Sequence, residues 1–413
     1  MSNTLITNSV IAKAAVAIAK NTNAFIKTID TQYDSTFGEH DGAKVGDTIK
    51  IRLPNEYVTS RGPALSLQDT NETYTSLQLA FQDHVDLAFT SKERTLQVVD
   101  FTERYVLPAI NNLMGTVAAT VMAGVEGGVC NAIFNQVSLG SATLAVTTTQ
   151  VLLADAILSD NSAQEYDRKL VVAPRTMARA VDTLKVLFNP SDAIAKQYKR
   201  ASISDALNFG WFKDQTVLAH TTGTFSAGTV NGAGQSGTTL ATNAITGTLK
   251  KGDFIQVAGT NAINKVTRQS LNLPRTFVVT ANVANGATSI PIYPAIIAGS
   301  STYDPVGGTG GVQYQTVDYA PANGATISLL NLAGETYKKN IAYAPQAVTL
   351  GTAPLELVNE GAKSSRSQKD GISVRMLSGY LMGTDQKADR MDVLYGFNFN
   401  KPEWACVVAD VVQ

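Results

Sequence analysis

The stretch Leu249-Lys250-Lys251-Gly252-Asp253-Phe254-Ile255-Gln256-Val257-Ala258-Gly259 sits inside the least charged part of a 413-residue chain. Its β-prone run, Asp253 to Val257, is followed by three more: Arg275 to Thr280, Thr288 to Tyr293 and Ala325 to Leu330. The turn pairs Asn285-Gly286 and Asn323-Gly324 lie between or before them. Around these runs, Thr222 to Gly334 holds 113 residues, only 8 of the 67 charged ones and 16 of the 32 glycines. Such a break in composition marks an all-β module inserted into a different domain.

On the N-terminal side, Ser9 to Ile29 reads as a helix carrying Lys13, Lys20 and Lys27 seven apart on one side. Two extended segments follow. Asp47 to Leu53 places Ile49, Ile51 and Leu53 on one face. Leu77, Leu79, Phe81, Val85, Leu87 and Phe89 keep period two along a second strand of 13 residues, broken only by Asp83. The polar stretch between them, Pro54 to Ser76, contains Arg61-Gly62-Pro63 and is long for a hairpin tip within a compact domain. It suits a protruding hairpin whose partner is another subunit.

A long helix is expected next. Asp100 is its N-cap with Glu103 in capping-box position, and a run to Asn131 would span ~45 Å with a kink near Pro108. Tyr105 to Val125 lacks charge and is long enough to cross a bilayer. Gly115, Ala119, Ala123 and Gly127 recur every four positions, so we expect them on the tightly packed face of a buried helix rather than in a membrane. Beyond it, Lys169 to Ala173 and Trp211 to Leu218 read as strands, with a short helix after Pro174 that aligns Met177, Ala180, Val181, Leu184 and Leu187. Asn340 to Leu350, Ile372 to Tyr380, Met391 to Asn398 and Trp404 to Val411 close the chain as extended segments.

Composition excludes several classes. The formal charge is -1, from 33 Lys+Arg and 34 Asp+Glu, so no strongly charged partner is demanded. Cys130 and Cys406 are too few for a disulfide scaffold and fit two buried thiols in a reducing compartment. His40, His84 and His220 are scattered, which disfavours zinc or Ser-His chemistry. Lys13 interrupts the apolar run Val10 to Ala19 and no basic residue precedes it, so no signal peptide is expected. Gly232, Gly234 and Gly237 spell G-x-G-x-x-G, but no helix is promised after them and the pyrophosphate of a dinucleotide would need one. They read as a flexible linker. Asp83 and Asp86 flank His84 without converging on a substrate site, and such groups commonly keep a protruding strand solvated. We therefore expect no catalytic residue, no cofactor and no metal.

Three stretches resemble one family. Leu249 to Gly259, continuing through Asn264-Lys265-Val266-Thr267-Arg268-Gln269-Ser270 to Phe277-Val278-Val279-Thr280, is similar to the start of the inserted domain in the P22 coat protein family of tailed-phage major capsid proteins. Asn340-Ile341-Ala342-Tyr343 with Ala353-Pro354-Leu355-Glu356-Leu357 resembles that family's return to the parent domain. Arg390-Met391-Asp392-Val393-Leu394-Tyr395-Gly396, then Pro402-Glu403-Trp404-Ala405-Cys406, resembles its closing strands. The resemblance runs from about Val45 onward. The arm, residues 1–36, and the stretch Thr222 to Gly247 match least.

The resemblance implies an α+β chain with the HK97-like capsid fold: a long spine helix, an E-loop hairpin, an axial domain and an inserted all-β barrel. The implied divisions are 1–36 for a helical arm, 37–90 for the E-loop hairpin and 91–135 for the spine helix and peripheral domain. They continue with 136–221 and 335–371 for the axial domain, 222–334 for the inserted barrel and 372–413 for the closing strands. It also implies a shell of pentamers and hexamers around dsDNA, assembled in the bacterial cytoplasm, with scaffolding, portal and decoration proteins as partners and no membrane. Some relatives cross-link subunits through a Lys–Asn bond. Here Lys44 and Lys50 lie at the base of the hairpin, and no cross-link is expected. Arg61, Lys13, Lys20 and Lys27 are the candidates for charged contacts with neighbours or scaffold. Two rivals remain: another self-assembling protein of a phage or surface layer, and a β-rich carbohydrate-active enzyme. The enzyme would need a signal peptide or a convergent pair of acids, and neither is seen.

Overall fold

The computed structural model describes residues 23–31, 48–53, 56–57, 59, 62–63, 74–90, 102–184, 203, 205–299, 311–358, 362–369 and 371–412. Its helices are α1 (Ala24–Thr28), α2 (Leu107–Ala123), α3 (Thr148–Asp160) and α4 (Pro174–Leu184). The strands begin with β1 (Thr48–Arg52), β2 (Tyr74–Gln78), β3 (Phe81–Thr90), β4 (Asn131–Ile133), β5 (Lys169–Val172) and β6 (Asp205–Ala206). They continue with β7 (Phe209–Lys213), β8 (Ala219–Thr221), β9 (Gly237–Ala241), β10 (Phe254–Ile263), β11 (Ser270–Val279), β12 (Ser289–Ile296) and β13 (Ile327–Leu329). The last six are β14 (Thr336–Tyr343), β15 (Val348–Ala353), β16 (Ala362–Lys369), β17 (Ile372–Leu381), β18 (Gln386–Phe399) and β19 (Ala405–Val411). The chain is thus mixed α and β, in two compact units.

The first unit gathers Met1–Ile51, Ser76–Val121 and Val348–Asn398. Strands β1 and β2 pair with each other, burying Ile51 and Leu77. The expected single strand from Leu77 to Phe89 is two strands. β2 stops at Gln78, and β3 starts at Phe81 with a different neighbour, β18. The two intervening residues preserve the phase, which is why period two survives the break. Asp83 does not interrupt the pattern either, because it accepts a 2.7 Å hydrogen bond from the buried Tyr395 hydroxyl. β18 also pairs with β17, and β17 with β16. One face of that sheet buries Val374, Met376, Met391 and Val393; on the other, the buried Asp392 takes hydrogen bonds from Arg375 and Arg390.

α2 is preceded by a π-helical turn, Thr102–Val106. That turn stands where a kink at Pro108 was expected, and it relieves the clash and missing donor that proline brings to a regular ladder. At 17 residues, α2 is about 26 Å long at 1.5 Å per residue and ends eight residues before Asn131. The reason is local: Glu126 and Gly127 leave helical geometry, Gly127 at φ 85°. The N-cap expected at Asp100 lies outside the described residues. Arg104–Ala123 is long and apolar enough to cross a membrane by length and composition, and half of that window is buried in the protein. The buried positions are Val106, Ala109, Ile110, Leu113, Met114, Val117, Ala118, Val121 and Met122. The Gly/Ala stripe is not the packed face: Gly115 and Ala119 are half-buried, Ala123 is exposed, and a Cβ on Gly115 would meet nothing within 4 Å. Large apolar side chains spaced three and four apart outcompete small ones for burial.

The second unit gathers Arg52–Thr75, Met122–Ala347 and Phe399–Gln413. Its seven-stranded sheet runs β4-β19-β14-β5-β7-β6 with β8 added to β14. The β4–β19 and β5–β7 pairs are parallel. Val151, Ala154 and Leu158 of α3 and Met177 and Ala180 of α4 bury against Leu170, Val172, Trp211, Cys406 and Val408 of this sheet. Asn340 to Leu350, expected as one extended run, divides at a turn where Gln346 has φ 66°, leaving β14 and β15 as separate strands. The four β-prone runs fall in β10, β11, β12 and β13, which with β9 form an antiparallel sheet in the order β13-β10-β11-β12-β9. Ile255, Val257, Phe277, Val279, Ile290, Ile292 and Ile327 fill its core.

Both cysteines are free and buried. Burial pushes the Cys130 thiol up to about 12 and raises that of Cys406 further, so neither supplies thiolate at neutral pH. We expect no reaction of the native protein with a thiol reagent and two equivalents after denaturation. A native thiol that reacts in minutes would show that the β4–β19 region is open.

Candidate functional site

One cluster of buried charged and polar groups lies where the chain leaves the seven-stranded sheet for the β10–β13 sheet and returns from it. The outgoing β8 and returning β14 are antiparallel neighbours, with His220 opposite Tyr337. Just beyond them Thr222 N donates to Glu335 O at 2.9 Å, and Gly334 N to Gly223 O at 2.9 Å. The two ends of the intervening segment are therefore close together.

His220, almost fully buried, carries a carboxylate at each ring nitrogen. Glu126 Oε1 is 2.9 Å from Nδ1, and Asp253 Oδ1 is 2.7 Å from Nε2. An imidazole between two acceptors satisfies both only when both nitrogens carry a proton. The second oxygen of Asp253 accepts from Gly223 N at 3.0 Å and Lys250 N at 2.7 Å. Lys339 reaches in from β14 and donates to Gly252 O at 2.8 Å, while its ammonium lies 5.3 Å from the Phe254 ring centroid. Burial brings Lys339 down to about 8 despite Glu126 and Asp253 nearby. Burial alone would raise Glu126, but the hydrogen bond with His220 and the charges of Lys339 and Lys251 hold it below its ordinary value.

A second charged cluster flanks the turn between β10 and β11. Glu403, in the 3-10 turn Pro402–Trp404, lies 3.1 Å from Lys265 Nζ and 3.6 Å from the Arg275 guanidinium. Burial would raise Glu403, but Lys265 and Arg275 keep it below the usual carboxylate range. Arg275 also stands 3.9 Å from Cys130 Sγ. Glu56 is 3.0 Å from Arg268 and 3.8 Å from Lys265. The Glu403 pairs, mostly buried on both sides, fix geometry more than they add stability, since their charges have given up most of their water, whereas the Glu56 side chain stays 38% exposed.

No set of three His, Cys, Asp or Glu residues able to hold a metal occurs among the described residues. Gly232, Gly234 and Gly237 have φ of 92°, 70° and 96° and lead into β9 rather than a helix. His84 lies on β3 with Nε2 3.3 Å from Asp86 and stays exposed. Of the expected charged contacts, Arg61, Lys13 and Lys20 lie outside the described residues; Lys27 is exposed at the last turn of α1. Sequence reading missed Glu126, His220, Asp253, Lys339, Arg275 and Glu403 as a set, because they are distant in the chain. The one local signal was a charged Lys-Lys-Gly-Asp turn inside an uncharged segment.

A family model described as "P22 coat protein - gene protein 5" matches residues 41–408. No curated protein matches the chain. Among solved structures, one described as Mycobacterium phage Che8 is similar at 9% identity and a TM-score of 0.45, over 94% of this chain and 90% of that one. The capsid structure of cyanophage P-SCSP1u follows at 11% identity and a TM-score of 0.42, over 90% and 85%. The CUS-3 coat protein I-domain is 21% identical over 25% of this chain and 95% of its own, with a TM-score of 0.20.

Proposed function

The chain belongs to the P22 coat protein family, and on that premise we propose that its copies close into pentamers and hexamers of an icosahedral shell around packaged dsDNA. It is a structural coat protein of the virion shell. In this reading the fold is HK97-like, with residues 1–36 as an arm, 37–90 as the E-loop hairpin, 91–135 as the spine and 222–334 as an inserted barrel. The axial domain takes 136–221 and 335–371, and the closing strands take 372–413. Scaffolding, portal and decoration proteins are its proposed partners, and the bacterial cytoplasm its place of assembly. Lys13, Lys20, Lys27 and Arg61 would make charged contacts with neighbours or scaffold. No catalytic role is proposed.

The family match across residues 41–408 carries this reading. Physical reasoning supports it. Repetition by symmetry lets modest surfaces share the stability of a shell, and a formal charge of -1 lets a coat enclose DNA without clamping it. Co-expression with the flanking genes followed by gradient sedimentation provides the test. Fast-sedimenting particles whose subunits run as single chains on a denaturing gel are expected; slow material alone would refute assembly, and a covalent ladder would refute the absence of cross-links.

A further inference from the structure

We propose that Glu56 is a clasp: it ties the chain just beyond β1 to the β10–β11 turn of its own subunit, and does so before any neighbouring copy is met. The tie within one chain does not depend on the coat reading.

Arg268 is built to receive this carboxylate. Its backbone is held at φ 60°, a left-handed conformation uncommon for a residue with a side chain. Asn264 stabilises the turn by accepting from Val266 N at 2.9 Å and Thr267 N at 3.0 Å through its side chain, and from Arg268 N at 2.9 Å through its carbonyl. The guanidinium donates to Gln313 O at 2.5 Å and Gln315 O at 3.3 Å. Those acceptors are neutral, so they orient the fork without cancelling its charge. Glu56 supplies the charge, at 3.0 Å, while its other oxygen faces Lys265.

The tally of the cluster explains why this acid matters. Among the described residues, Lys265, Arg268, Arg275 and Lys401 bring four positive charges to two carboxylates, Glu56 and Glu403. Lys265 and Arg268 side chains are each only 12% exposed and that of Glu56 is 38% exposed, so the contact is part-buried and screened less than a pair exposed on both sides. An exposed pair would be a weak tether; a pre-oriented arginine and a shared lysine make a stronger one.

Zero-length carbodiimide coupling, read by mass spectrometry, tests the clasp. Unlabelled and nitrogen-15-labelled full-length protein are mixed and treated both as free subunits and after co-assembly. The expected product joins Glu56 to Lys265 with both peptides carrying the same label, in both samples, and E56Q removes it while leaving the Lys265–Glu403 product. Mixed-label pairs, or the Lys265–Glu403 product without the Glu56 one, would overturn the clasp. R268Q gives a second reading: hydrogen exchange at residues 52–57 of the free subunit should quicken by about tenfold, and unchanged exchange would contradict it. Same-label pairs in a protein that never forms shells would refute the coat reading and leave the clasp standing.

Discussion

Replacing Asp253 by alanine is expected to lower the stability of the second unit by about 3–5 kcal/mol, the usual cost of breaking a buried charged pair from one side. Asp253 is fully buried, and its two oxygens serve His220, Gly223 N and Lys250 N together. The alanine leaves two backbone donors and one ring nitrogen without their acceptor, in a place water cannot readily replace it. D253N should cost less, because one acceptor oxygen remains, but the amide nitrogen then faces a donor. Trp211 and Trp404, the chain's two tryptophans, both belong to this unit, so urea unfolding followed by tryptophan fluorescence reports it directly. A D253A midpoint equal to the parent's would show that the cluster is decorative.

An alanine at Gly396 is expected to be as damaging for a steric reason. A Cβ there would stand 1.9 Å from Gln78 O and 2.7 Å from its carbonyl carbon. Both atoms are backbone, so no rotamer change relieves the overlap, and β18 must move away from the end of β2. Losses above about 4 kcal/mol arise from few mechanisms, and a forced backbone displacement is one of them. G396A should therefore be recovered mostly as insoluble protein. The check is the soluble yield with the circular-dichroism melt of what remains; parent-like values for both would mean that β18 does not run this close to Gln78.

β-prone runs bounded by turn residues exposed the β10–β13 sheet in the sequence, because strand propensity and turn chemistry are written locally. α3 escaped notice although Thr147 and Gln150 form a capping box and Val151, Ala154 and Leu158 share a face. Its exposed Leu152 and Leu153 blur that periodicity. The C-terminal end of α2 was misplaced for a local reason: Glu126 and Gly127 leave helical geometry, Gly127 at φ 85°. The charged clusters were invisible for a nonlocal one. Glu126, His220, Asp253 and Lys339 become neighbours only when β8 and β14 pair, and no spacing in the sequence encodes that pairing. In the sequence Asp253 reads only as the start of a β-prone run, whereas its carboxylate fastens the base of the sheet.

Electron cryomicroscopy of particles made by co-expressing the chain with its flanking genes tests the central claim most directly. Closed icosahedral shells built of pentamers and hexamers of this chain are the expected result; tubes, flat arrays or discrete monomers would contradict it.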